Sequence, residues 1–302
     1  MKPVSYALHP ALRAAVAALA LIMYSSIAAA QSVTLPDVHG LAYSADGKRL
    51  IVAVHDGIAI YNAGRWSKDP GPRHDYMGFT ATKGRFYSSG HPAPGSGLKN
   101  PFGLIVSGDG GRTWEKRGLE GEADFHVLGA SYETNAIYVY SHGRNSRMDH
   151  PGIYYTLNDG FTWTRAQAQG LDSTVHAIAV HPSKPQIVAV AAKEGLFLST
   201  NSGERFERLA AGQALAAFFE LDGEHLVYSL YDGAAKLHRH SLKSRSRTEI
   251  PLPPLTRDAV GYIAQNPADR AEYAIATFER SVFLSKNMGK SWTQIAQNGQ
   301  AK

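Results

Sequence analysis

The sequence predicts an all-β chain folded as a six-bladed β-propeller, and three observations carry that expectation. An eight-residue turn motif recurs four times at near-regular steps, short β-rich runs recur with it, and no long helical pattern intervenes. The first copy, Ser107-Gly108-Asp109-Gly110-Gly111-Arg112-Thr113-Trp114, fits S-x-D-x-G-x-[ST]-[WF]. In such a turn the Asp accepts backbone N–H groups further along, the Gly takes a positive φ, and the Trp folds back to bury a large ring. Thr156 to Trp163 repeats the motif through Asn158 and Gly160; Ser199 to Phe206 does so through Asn201 and Gly203; Ser285 to Trp292 does so through Asn287 and Gly289. The first residues of the copies lie 49, 43 and 86 apart, the last step being twice 43, as if one copy had decayed. A period of about 40–50 residues, each unit holding several short strands, marks propeller blades.

Taken in order, the chain opens with Lys2 and Arg13 ahead of the apolar run Ala14–Met23 and then Ser25-Ser26-Ile27-Ala28-Ala29-Ala30. A basic start, a short apolar stretch and an A-x-A site describe a secretory signal peptide over residues 1–30, cleaved before Gln31. The run is short for a membrane span. Residues 31–302 are then expected to form one propeller domain. Each unit begins with an apolar or alternating run: His39–Ser44, Tyr76–Thr82, His126–Tyr132, His176–Pro182, Ala214–Leu221 and Val260–Pro267. Second runs follow, such as Leu50–Val54, Ile137–Tyr140, Ile187–Val190 and Tyr273–Thr277. Third runs lead into the boxes, as at Gly103–Val106 and Val282–Leu284. Asn62-Ala63-Gly64-Arg65-Trp66 is a shortened box for the first unit, and the fifth unit has none. Seven blades is the alternative, with the extra unit drawn from the short segments at 31–37 or 66–74.

Composition narrows the function. The formal charge is +5, and it drops to +3 without Lys2 and Arg13; with no basic run beyond Lys243–Arg247, nucleic acid is not an expected partner. There is no cysteine, so the core must supply the stability of an exported protein without disulfides. A soluble monomer, periplasmic or secreted and without a membrane span after signal cleavage, is the expectation.

The four boxes resemble the Asp-box (BNR) repeats of the sialidase, sortilin and photosystem assembly-factor propellers. The units as a whole, including His39-Gly40-Leu41-Ala42-Tyr43-Ser44 and Tyr262-Ile263-Ala264-Gln265-Asn266-Pro267, are similar to exported bacterial proteins labelled glycosylhydrolase-like. The resemblance implies structural roles for Ser107, Asp109, Gly111, Trp114, Asn158, Gly160, Trp163, Asn201, Gly203, Phe206, Asn287, Gly289 and Trp292. It implies a possible glycoside hydrolase, although the three-arginine and Tyr–Glu pattern of sialidases is not found.

In a four-stranded meander the starts of the first strands and the second-to-third connections share one end, opposite the boxes. His39, His126 and His176 occupy the same register on three first strands, which puts their side chains on equivalent faces. His74 and Asp75, Asp124, and Asp258 precede other first strands, while His55, His91, His142 with Arg144, and Arg280 lie in the second-to-third connections. One reading is a wet rim of turn residues. A second is a hydrolytic pocket: glycoside cleavage needs two carboxyl groups across the sugar ring, for which Asp75, Asp124 and Asp258 are candidates. His126 would move protons, His74, His91, His142, Arg144 and Arg280 would bind substrate, and Tyr76 and Tyr262 would offer stacking surfaces. A third is a divalent metal, zinc or copper, on His39, His126 and His176. A fourth is a non-catalytic platform for a small ligand or protein partner, using Met77, Phe79, Phe125 and the loops 90–102 and 141–152.

Overall fold

The computed structural model describes residues 33–302; the expected signal peptide lies outside the described residues. These residues build six small antiparallel sheets and, among the described residues, no helix. The first blade is β1 (Val38–Tyr43), β2 (Arg49–Val54), β3 (Gly57–Asn62) and β4 (Arg65–Lys68). The second is β5 (Asp75–Ala81), β6 (Phe86–His91), β7 (Leu104–Ser107) and β8 (Glu115–Gly118). The third is β9 (Leu128–Ala130), β10 (Ile137–Ser141), β11 (Gly152–Thr156) and β12 (Thr164–Arg165). The fourth is β13 (Val175–Val180), β14 (Val188–Ala192), β15 (Gly195–Ser199) and β16 (Glu207–Ala211). The fifth is β17 (Gln213–Phe219), β18 (His225–Tyr231), β19 (Ala235–Ser241) and β20 (Arg247–Ile250). The sixth is β21 (Val260–Gln265), β22 (Tyr273–Thr277), β23 (Val282–Ser285), β24 (Thr293–Gln297) and the two-residue β25 (Gln300–Ala301). Every sheet is a simple meander.

The first strands adjoin in the order β1, β5, β9, β13, β17, β21 and back to β1, so the blades close a ring around them. Second strands such as Val188–Ala192 and Tyr273–Thr277 are buried throughout, packed against neighbouring blades on both faces. That explains their continuous apolar runs. The ring is sealed between blades one and six: the Leu35 N–H donates to the Gly299 carbonyl at 2.7 Å, and the Ala301 N–H to the Val33 carbonyl at 3.0 Å. Within the described residues, 33–37 serve closure, and Arg65–Lys68 is the outer strand of the first blade; six blades thus draw on both segments that a seventh would have needed.

All four boxes fold alike. Ser107 Oγ donates to Asp109 Oδ1 (2.8 Å) and accepts the Gly111 N–H (2.8 Å), while Asp109 Oδ1 accepts the N–H groups of Arg112 and Thr113. Asn158, Asn201 and Asn287 do the same work with their amide oxygens on Thr162, Arg205 and Ser291. The glycines have φ between 80 and 94°, and each packs on the preceding blade: an added Cβ would stand 2.7 Å from Ile58 at Gly111, 2.8 Å from Leu104 at Gly160, 2.9 Å from Ala166 at Gly203 and 2.3 Å from Ile250 at Gly289. The box is therefore a clasp between blades as well as a turn within one. Where the first blade has only the Ala63-Gly64 hairpin, the Trp66 indole N–H reaches the Ile295 carbonyl of the last blade at 2.8 Å.

Candidate functional site at the channel mouth

A β-bulge near the start of the inner strand recurs around the ring. The pairing register shifts at His39 on β1, between Met77 and Thr80 on β5, at His176 on β13, at Leu215 on β17 and at Gly261 on β21. A bulge re-aims the side chain it carries. The bulge residues His39, Gly78, His176, Leu215 and Gly261, with His126 on the blade whose inner strand is shortest, all line one central cavity of about 530 Å³. The cavity runs the length of the inner strands, from these residues to Tyr132, Pro182, Leu221 and Pro267. Its wall is mostly apolar, with Phe79, Phe218, Ile178, Ile263 and Tyr262 among the larger groups. Burial pushes the Tyr262 hydroxyl up to about 12, so it stays a neutral donor.

The mouth has two unlike halves. On the side of the first three blades stand two His–Asp–His groups, each with ligand-type atoms within 4.8 Å of one another: His39, His55 and Asp75, then His91, Asp124 and His126. They are a structural repeat, because in each the Asp leading a first strand faces the His at the end of the preceding blade's second strand. Asp75 lies 3.3 Å from His39 Nε2 and 3.0 Å from His55 Nδ1. Asp124 Oδ2 lies 2.5 Å from His126 Nε2 and 3.1 Å from His91 Nε2, and His91 Nδ1 bonds Asn100 Oδ1 at 2.7 Å. On the other side Phe278 lies over Gly261, where an added Cβ would stand 3.3 Å from the ring, and Leu215 takes the bulge position. Phe278 is 57% exposed.

The two groups tune their imidazoles in opposite directions. Burial pulls His39 below the ordinary histidine value in spite of Asp75 beside it. The hydrogen bond to Asp124 raises His126, with Asp75 adding to the effect. A neutral ring and a readily protonated ring therefore face one mouth, the separation that acid–base chemistry uses. A second hollow of about 330 Å³ adjoins Asp124 and His126 and is lined by Glu122, His142, Arg144 and Asn145.

Other candidates are placed differently. Asp258 Oδ1 is occupied by the N–H groups of Ala259 (2.8 Å) and Glu279 (3.0 Å), so it braces the turn carrying Phe278. His176 lines the cavity, but its Nδ1 is 2.8 Å from the Ala214 carbonyl, and it stands outside both His–Asp–His groups. Buried His74 accepts the Ala93 N–H at 2.9 Å and packs on Phe102, which pins the 92–102 loop. Arg280 sits in the β22–β23 turn at φ 60°. Tyr76, wholly buried and stacked on Trp114, is core and offers no stacking surface; Phe125 at 1% exposure is core as well, whereas Phe79, though 6% exposed, lines the cavity wall. Phe278 was not foreseen, because the glycine that seats it lies seventeen residues earlier and on another strand.

No family model and no curated sequence matches this chain. Among solved structures it is similar to the GH74 enzyme of Niastella koreensis, with a TM-score of 0.57 and 16% identity over 87% of this chain and 46% of that one. It is also similar to YCF48 bound to D1 peptide (TM-score 0.51, 15% identity, 87% of this chain and 83% of that one). A third is the extracellular domain of the BT4673 hybrid two-component system from B. thetaiotaomicron (0.54, 11% identity, 88% and 33%). The chain spans about half or less of the glycosidase and of the two-component protein. At these identities the likeness shows the fold, a propeller shared with glycosylhydrolases and with extracellular domains. Among the described residues no helix is long and apolar enough to cross a membrane.

Proposed function

We propose that this is an exported Asp-box propeller, glycosylhydrolase-like, that receives a glycan or sugar-sized ligand at the His/Asp-lined mouth of its central channel. The observation that carries the reading is the split character of the mouth. A sugar offers hydroxyl groups on its edges and C–H faces above and below its ring. Imidazoles and carboxylates on blades one to three match the first, and Phe278 with Tyr262 matches the second. Sites of this kind are concave, largely apolar and orient their ligand with a few polar groups. In the catalytic form of this reading, Asp124 with His126 handles the proton at the leaving oxygen and Asp75 is the second carboxylate. His91, His142 and Arg144 hold the substrate, and Asp258 supports the rim.

A panel of glycosides and oligosaccharides assayed for binding and turnover with wild type and Asp124→Asn tests it. Turnover that falls at least a hundredfold in the variant, with binding retained, supports catalysis at Asp124. Binding without turnover in either protein supports a lectin-like site, and a panel that neither binds nor reacts overturns the glycan reading. The exposed Phe278 favours a second reading, a non-catalytic platform for an apolar side chain of a protein partner. Export from residues 1–30 is checked by N-terminal sequencing of the secreted or periplasmic protein, which should begin at Gln31.

A further inference from the structure

We propose that His39, His55 and Asp75 form a binding site for a single transition-metal ion of the zinc or copper(II) class, with one coordination position open to the channel mouth. The inference does not depend on the glycan reading.

Three observations converge on it. First, His39 Nε2 and Asp75 Oδ1 are both buried and neither has a hydrogen-bond partner. Asp75 is 9% exposed, so an unbonded carboxylate oxygen there is costly. Second, the separation of those atoms, 3.3 Å, is long for a charge-assisted hydrogen bond. It matches the edge of a tetrahedron with arms of about 2.0–2.1 Å, roughly 3.3 Å, which is the spacing of two ligands on one zinc. His55 Nδ1, 3.0 Å from Asp75 Oδ2, is the third donor, and its exposed ring leaves the fourth corner to solvent or substrate. Third, no lysine or arginine among the described ion pairs serves Asp75, so the only basic groups beside the carboxylate are the two imidazoles.

The other two groups of this type provide the contrast. Around Asp124 the donors are turned toward each other: His126 is hydrogen-bonded to the carboxylate at 2.5 Å and His91 to Asn100. Around Glu220 both oxygens are taken, by Arg239 at 2.5 and 2.8 Å and by the Tyr273 hydroxyl at 2.7 Å, which makes a structural ion pair with His225 at its edge. Asp124 Oδ1 is also buried and unpaired, but only the first group sets an unbonded buried imidazole nitrogen beside an unbonded buried carboxylate oxygen. Two imidazoles and one carboxylate suit zinc or copper(II); calcium and magnesium demand more oxygen donors than the site has.

The test is equilibrium dialysis of tag-free protein, cleared with chelator, against micromolar zinc chloride and separately copper sulfate, with ions counted per chain and thermal melts alongside. Wild type should take up zinc or copper and melt higher with the ion than without it, because an ion held only by the folded state stabilises it. His55→Ala is the decisive variant, since this exposed ring can be removed without disturbing the core. It should bind one ion fewer than wild type, or bind at least tenfold more weakly, with an unchanged melt in chelator. Asp75→Asn should lose the same ion, and His142→Ala, at the rim but outside the group, should keep it. Wild type that binds neither ion at these concentrations would overturn the proposal, as would uptake unchanged in both His55→Ala and Asp75→Asn.

Discussion

Asp109 accepts two backbone N–H groups and the Thr113 hydroxyl, and these bonds, working against partial burial, hold its carboxyl down to about 2. The other three boxes make the same backbone bond with a neutral amide oxygen. Geometry and not charge is thus what the position requires. Asp109→Asn should leave stability within about 0.5 kcal/mol of wild type, and Asp109→Ala should cost about 1–2 kcal/mol, read from denaturant midpoints. His181 poses the opposite problem. Its Nδ1 accepts the N–H groups of Ser183 and Lys184, and its Nε2 faces the Gly223 carbonyl of the next blade at 2.9 Å, which fixes a neutral ring. Burial, foremost, lowers its protonation below the ordinary 6.5, and His74, His238 and His240 are lowered for the same reason. The unfolded chain therefore binds protons that the folded one resists. Stability should be full above about pH 6.5 and should fall as the pH drops below it. Melting temperatures that stay flat from pH 7.5 to 5 would contradict this.

At the scale of the element, the box turn and the inner-strand bulge do different jobs. The box turn is local: the bonds made by its Ser or Thr hydroxyl and by its Asp or Asn side chain all lie within eight residues, and so it could be read from sequence with its register. Its second role, the glycine seated on the previous blade, could not, because nothing in the motif names the neighbour. Gly289→Ala should accordingly cost more than Gly64→Ala. Both take φ 80°, but the first Cβ would meet Ile250 at 2.3 Å and the second meets nothing within 4 Å. The expected losses are about 2–4 and about 1 kcal/mol in chemical denaturation. Equal losses would mean that the clasp between blades contributes nothing. The bulges were not legible either, since an extra residue in one strand shows only when its partner is known. The equal register of His39, His126 and His176 survives as a shared lining of the channel. Their partners, by contrast, are set by the bulge and the adjoining blade: Asp75 and His55 for one, Asp124 and His91 for another, a backbone carbonyl for the third.

For the whole molecule, closure decides everything. Leu35, ahead of the first blade's inner strand, is fully buried among Val38, Leu41, Ala274 and Ile295 of the first and last blades. Here Leu35→Ala should cost about 2–5 kcal/mol, as in a central core, and urea unfolding should remain a single transition. The same closure brings residues as distant as His39 and Gly261 to one cavity. The strand pattern and the boxes made the circle readable. The apolar wall was not, because alternation along one strand does not say that six such faces meet around a common axis.

The central claim, that a ligand enters this channel from the histidine side, is tested most directly by a crystal structure of the protein soaked with the best-binding saccharide from the panel. The account predicts electron density for a sugar ring stacked on Phe278 or Tyr262, with its hydroxyl groups toward His39 and His126. Density confined to the box side of the ring, or to an outer groove between blades with the channel empty, would contradict it.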